Sequence, residues 1–283
     1  MRILLTGRSG QVGAALEERL APLGEVTAPG RAALDFLDPR SIQQEVRAAR
    51  PEVIVNAAAY TAVDRAEQER ASAFAVNAEA VGLLGEEARR LGALLVHFST
   101  DYVFDGRKAT PYTEEDRPGP LNVYGESKLA GEVALEGAGC RYLILRTSWV
   151  YAAHGRNFLR AILAASKERK ELRVVNDQRG APTSADMIAR AVASILRNGS
   201  PASGLYHMSA AGETTWHGFA RAILAAARID TPVVPIPTSE YKSAAARPKN
   251  SLLDNTRLQQ AFGIALPDWR EGLREVSSRI DAL

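Results

Sequence analysis

Short apolar blocks alternate along the chain with longer segments of helical periodicity. Arg2-Ile3-Leu4-Leu5 reads as a buried strand. Further apolar stretches recur at Glu25-Val26-Thr27-Ala28, Pro51-Glu52-Val53-Ile54-Val55-Asn56, Ala93-Leu94-Leu95-Val96-His97-Phe98 and Tyr142-Leu143-Ile144-Leu145-Arg146. Between most of them, Ala14 to Leu20, Ser41 to Arg50 and Ala71 to Leu91 carry apolar residues at helical spacing. Strands alternating with helices predict an α/β fold built on a doubly wound parallel sheet of Rossmann type. Ligands of such sheets sit at the carboxyl ends of the strands. Polar clusters fall at those ends here: Gly7 onward, Asn56 onward, Ser99-Thr100-Asp101 and Thr147-Ser148-Trp149.

Beyond about Val175 the texture changes. Asn176 to Thr183 is turn-rich and leads into a helix from Ser184 to Leu196. A short strand at Leu205-Tyr206-His207-Met208, a helix from Trp216 to Ala227 and a proline-rich stretch from Thr231 to Pro237 follow. A basic segment, Ala246-Arg247-Pro248-Lys249-Asn250, precedes helices at Asn255 to Phe262 and Trp269 to Ile280. Residues 1–175 are thus expected to form a dinucleotide-binding domain, and 176–283 mainly a smaller C-terminal substrate lobe interleaved with it. No internal repeat interrupts the pattern.

Composition narrows the partners. With 283 residues, 46% of them apolar, and a net charge of only +2 spread over interspersed acids and bases, a large core is affordable and no nucleic-acid or membrane footprint stands out. Small molecules are the expected partners. One cysteine, Cys140, excludes an internal disulfide and suits a reducing cytoplasm, where the protein is expected. The N-terminal apolar run is three residues, far short of an export signal or a spanning helix of about 20. His97 falls within a strand, His207 and His217 flank a second-lobe helix and His154 lies beside Gly155, so no metal site or catalytic triad is expected from them.

Two local motifs carry chemistry. Thr6-Gly7-Arg8-Ser9-Gly10-Gln11-Val12-Gly13 joins the first strand to its helix. Gly7 permits the tight turn, Gly10 lets backbone approach a pyrophosphate, and Gly13 allows close helix–sheet packing, with the helix N-terminus facing the anion. A glycine triplet can merely end a strand; its place at the first strand of an α/β pattern favours the dinucleotide reading. Tyr124 and Lys128 lie four apart and share a helix face. A charged Lys128 there is expected to favour the Tyr124 phenolate, lowering a reference pKa of about 10. The bland alternative is a half-buried aromatic beside a solvated charge.

Together, the glycine turn, Asn56-Ala57-Ala58-Ala59, Ser99-Thr100-Asp101 and Tyr124-x-x-x-Lys128 resemble the extended short-chain dehydrogenase/reductase superfamily over the whole chain. More narrowly, six blocks resemble the dTDP-4-dehydrorhamnose reductases. They are Asn56 to Asp64, Ser99 to Phe104, Asn122 to Gly125, Arg146 to Tyr151, Asn176 to Thr183 and Arg247-Pro248. The resemblance implies NAD(P)H-dependent reduction of dTDP-4-dehydro-beta-L-rhamnose to dTDP-L-rhamnose. Tyr124 would donate the proton, Lys128 would tune it and bind the nicotinamide ribose, and Thr100 would hydrogen-bond the same sugar oxygen.

For the cofactor, the resemblance carries over Gly10-Gln11-Val12, Asp35-Phe36 after a third strand for the adenine, and Ala59-Tyr60-Thr61 near the nicotinamide. Asp35 could equally cap a turn. No carboxylate follows the second strand in Pro29-Gly30-Arg31, so Arg31 suits a 2′-phosphate and points to NADPH, with NADH possible; an ordinary surface arginine is the alternative. For the sugar nucleotide, Arg247 would grip the diphosphate with help from Lys249, Asp101 and Trp149 would meet the sugar, and the turn holding Asn176 and Gln178 would close over it. A lobe-interface aromatic is the other reading of Trp149. Some relatives hold magnesium at a dimer contact, but the first helix here begins Ala14-Ala15-Leu16 with acids only at Glu17 and Glu18, so no metal is expected and monomer and homodimer stay open. Two rivals share the motifs: a non-catalytic subunit like the regulatory subunit of methionine adenosyltransferase, and a sugar-nucleotide epimerase or dehydratase.

Overall fold

The computed structural model describes residues 1–199 and 203–280. Strand β1 (Arg2–Thr6) enters α1 (Gln11–Leu20), followed by β2 (Glu25–Thr27), α2 (Pro39–Ala49) and β3 (Val53–Asn56). Next come α3 (Val63–Ala66), α4 (Arg70–Phe74), a π-helical turn (Ala75–Glu79), α5 (Ala80–Leu91), β4 (Leu94–Thr100), α6 (Val123–Gly137) and β5 (Arg141–Thr147). Then follow β6 (Val150–Tyr151), α7 (Phe158–Glu168), β7 (Leu172–Val175), β8 (Arg179–Gly180), β9 (Thr183–Ser184) and α8 (Ala185–Arg197). The remainder is β10 (Gly204–His207), β11 (Thr214–Thr215), α9 (Trp216–Ala226), β12 (Val233–Ile236), α10 (Thr256–Phe262) and α11 (Trp269–Ser277).

Six strands form one parallel sheet in the order β10-β5-β4-β3-β1-β2. Their apolar runs are continuous because both faces are covered. Leu5, Val55, Val96 and Leu143 pack on one face with Leu16 and Leu20 of α1 and Ile188 and Val192 of α8. Leu4, Ile54, Leu95 and Ile144 pack on the other with Ile42 and Val46 of α2 and Leu84 of α5. The strand order reverses between β1 and β3, which opens a crevice above Thr6 and its register partner Asn56.

Several expectations need correction. Asp35 and Phe36 follow β2 directly, on a turn before α2; no third strand precedes them. The helix expected from Ala71 to Leu91 contains the π turn, where an extra residue per turn accommodates the Asn77 side chain. Asn77 accepts from Tyr60 N–H at 2.8 Å and donates to Ser127 Oγ at 2.9 Å, pinning the loop after β3 to α6. The stretch from Thr231 to Pro237 holds a strand after all, since β12 pairs in parallel with β7. Strand β10 does not belong to the lobe: it extends the main sheet beside β5, and α8 packs on α1. Conversely, β6 and β7 lie before residue 176 yet pair with β9 and β12. The chain crosses between sheet and lobe more than once.

Candidate active site

The crevice at the sheet's reversal is a cleft of ≈ 640 Å³ whose walls include Gly7, Gly10, Arg31, Asp35, Phe36, Ala59 and Tyr60. Gln11, Val12, Gly13 and Thr61 are not on its wall. Gly13 serves packing: a Cβ there would sit 2.0 Å from the Gly7 carbonyl oxygen, so only glycine lets α1 approach the turn. Gly7 has φ +72° and its added Cβ would strike Ala57, so it is glycine for both conformation and space. Helix α1 has no capping side chain and no acid in its first turn, leaving N–H groups open to an anion. Gln11 turns away and accepts from Asn157 Nδ2 at 2.7 Å. Asp35 Oδ1 accepts from Leu37 N–H at 3.0 Å, so it caps its turn as well as facing the cleft. Sequence reasoning missed Arg8, a second cation on this wall, tied to Glu17 at 3.0 Å and to Ala28 O at 3.3 Å. Its position inside the glycine turn was the available signal.

Tyr124, the candidate proton donor, stands in the first turn of α6, which Asn122 caps by accepting from Gly125 N–H at 2.8 Å. Tyr124 is half-buried, meets Tyr102 edge-on at 5.8 Å and shares a small apolar cluster with Tyr60 of the cleft wall. Burial pushes its pKa up to about 12, with a Thr100 hydrogen bond acting against the rise and Asp101 adding to it. The expected depression by Lys128 is therefore overturned. Lys128 is buried, donates to the Phe98 carbonyl at 2.6 Å, lies 3.3 Å from His97 Nε2, and is itself pushed down to about 8 by burial against the pull of Glu132. Thr100 Oγ1 donates to Asp101 Oδ1 at 3.2 Å. Burial raises Asp101 to about 7, and its Oδ2 has no partner. Beneath them, buried Glu132 accepts from Arg146 at 2.8 and 2.6 Å and from Ser99 at 2.5 Å.

A second cleft, ≈ 520 Å³, opens where the lobe meets the sheet. Its walls carry Arg107, Lys108, Arg179, Arg247 and Lys249 against Asp105 and Asp177. Of the expected substrate residues Arg247 and Lys249 line it, Arg247 paired in a fork with Asp64 at 3.1 and 2.7 Å. Asn176 accepts from Thr215 at 2.7 Å, while Gln178 bridges Thr238 at 3.1 Å and Trp216 Nε1 at 3.1 Å, so both amides hold the turn that presents Asp177 and Arg179. Trp149 is buried, stacks on Trp216 at 3.6 Å and abuts Gly180, contacts that fit the interface alternative, and it lines neither cleft. Arg107, Lys108 and Arg179 escaped the sequence reading because only the fold gathers them. No group of three or more His, Cys, Asp or Glu residues is arranged to hold a metal among the described residues, nor is any described helix long and apolar enough to cross a membrane.

Comparison with known proteins matches residues 1–281 to the RmlD substrate binding domain family. The chain belongs to this family. Among its relatives, dTDP-4-dehydrorhamnose reductase of Burkholderia thailandensis is 50% identical over 285 residues, spanning 95% of this chain and 96% of that one. The Escherichia coli K12 protein of the same name is 44% identical across 99% of this chain and 98% of its own. The RmlD-type fold is matched in crystals of dTDP-4-dehydrorhamnose reductase from Bacillus anthracis in complex with NADP, with TM-score 0.93, 37% identity and coverage of 97% and 98%. A Thermotoga maritima UDP-glucose 4-epimerase at 21% identity and TM-score 0.84 shares the fold alone.

Proposed function

We propose that the protein reduces dTDP-4-dehydro-beta-L-rhamnose to dTDP-L-rhamnose with NADPH, the sheet domain holding the cofactor and the lobe the sugar nucleotide. The observation that carries this reading is Tyr124 in the first turn of α6, next to Thr100 at the end of β4 and in one apolar cluster with Tyr60 of the glycine-turn cleft. The residues present fit the dinucleotide: the N-terminus of α1 has no capping side chain or first-turn acid to compete with a pyrophosphate, and Arg8 and Arg31 stand on the cleft wall as cations for a 2′-phosphate.

When bound, NADPH supplies the hydride that adds to the carbonyl carbon. The Tyr124 phenol, raised to about 12, keeps its proton at neutral pH and gives it to the carbonyl oxygen as the C=O π bond opens. Thr100 neighbours Tyr124, and its hydroxyl would turn from Asp101 to donate to the same oxygen. Arg247 and the neighbouring cations hold the diphosphate, away from the reacting carbon.

The test is NADPH consumption in the presence of the keto-sugar, with the product identified by mass. Stoichiometric oxidation to NADP is expected. Conversion of the sugar without net cofactor use would make the protein an epimerase or dehydratase, and cofactor binding without turnover would make it a partner-binding subunit.

A further inference from the structure

We infer that His97 is a positioning residue that sets the proton affinity of Lys128, because Thr6 and Asn56 lock its ring in the tautomer whose Nε2 hydrogen faces the lysine amine. The inference deepens the reductase reading and rests on it for its catalytic meaning. Its starting point is a backbone N–H. Ala58 N–H lies 3.2 Å from Asn56 Oδ1, and Thr6 Oγ1 lies 2.6 Å from the same oxygen. A backbone N–H can only donate, so this atom is the amide oxygen, and the NH₂ points the other way, 3.0 Å from His97 Nδ1. An amide NH₂ also only donates. Nδ1 must therefore present a lone pair.

His97 is fully buried in β4, and burial first, then the Lys128 charge, hold its pKa well below the usual histidine range. A neutral ring has one N–H. It must sit on Nε2, 3.3 Å from Lys128 Nζ. An ammonium has no lone pair to receive that hydrogen, whereas a neutral amine has one. The contact thus stabilises neutral Lys128. Its bond to Phe98 O, 2.6 Å, is open to either form.

The other groups around the amine do not reverse this. On α6, Glu132 favours the charged form, but its carboxylate is engaged by Arg146 of β5 and Ser99 of β4, and the Arg146 charge offsets it. Tyr124, one turn earlier on α6, is a protonated phenol, and Asp101 beyond β4 is uncharged up to about 7. The consequence is functional. An amine that titrates near working pH can both take up and release a proton, which restoring the Tyr124 phenol after each turnover demands.

The test is nitrogen NMR on protein labelled in histidine and lysine, without cofactor or substrate. In the wild type, His97 should show a bare Nδ1 and a protonated Nε2. His97→Phe removes the donated hydrogen, so the Lys128 titration should rise by about one pH unit, tenfold in proton affinity, the worth of one hydrogen bond. Asn56→Asp is the second variant: a carboxylate only accepts, so the ring proton should move to Nδ1 and the Lys128 titration should again rise. In turnover, the alkaline limb of kcat should move up with it, whereas a purely structural histidine would lower kcat and leave the limb in place. A protonated Nδ1 in the wild type, or a Lys128 titration unmoved by loss of the ring or exchange of its tautomer, would overturn the inference. Failure of the reductase reading would look different: no NADPH consumption, with the nitrogen spectra as described.

Discussion

Replacing Arg247 by alanine separates two roles that the structure superimposes on one guanidinium. It clamps the C-terminal segment to α3 through Asp64, and it faces the basic cleft. As a clamp it is worth little, since the Asp64 side chain is 47% exposed and water can replace the fork; about 1 kcal/mol or less of stability should be lost. As a diphosphate ligand it is worth more. A charge-assisted, two-pronged interaction contributes roughly 1.5–3 kcal/mol. At about 1.4 kcal/mol per decade, dTDP should bind about 10- to 150-fold more weakly by calorimetry. The diphosphate is remote from the reacting carbon and is held alike in ground and transition states, so KM should rise while kcat stays within a few-fold. Arg247→Lys should recover only part of the affinity, keeping the charge and losing the fork. Unchanged dTDP affinity together with a Tm several degrees lower would refute the argument and leave Arg247 a clamp.

Tyr124→Phe should lower kcat by about 10²–10⁴, the usual worth of a positioned acid, while NADPH binding followed by fluorescence stays unchanged; unimpaired turnover would remove Tyr124 from the reaction. Asp101 has a folded pKa raised by burial to about 7 above a reference of 3.8, so its contribution to stability is complete below about pH 4 and is lost as pH rises to 7. Asp101→Asn should flatten that part of the Tm–pH profile and gain on the wild type above pH 7. Alanine at both Arg8 and Arg31 should weaken NADPH by about 10- to 100-fold, the size expected when a charge-assisted hydrogen bond to the 2′-phosphate is removed, with NADH nearly unaffected; equal weakening of both cofactors would show that these side chains do not read the 2′-phosphate.

The strands of the sheet were legible because burial on both faces leaves unbroken apolar runs such as Leu94–Val96. Strand β12 was hidden by Pro235 and by its half-exposed pattern, which reads as a loop. Nothing near Leu205 says whether its partner is the lobe or β5, since pairing is decided by a distant neighbour. The spacing of Tyr124 and Lys128 fixed their common helix, but not which group each polar end would find; β4 supplies Phe98 O and His97 to one and Thr100 to the other. The cations of the second cleft come from three separated segments, and only folding makes them neighbours.

Because β10 returns to the sheet after the chain has built β6 to α8, the outer edge of β5 stays open until Gly204 leaves the ribosome. A fragment ending at Val175 would carry that bare edge and an uncovered apolar face on α1, the ingredients of self-association rather than of an independent nucleotide-binding module. Completion of the sheet is thus coupled to synthesis of the chain beyond Val175, which supplies its last strand and the helix that covers α1.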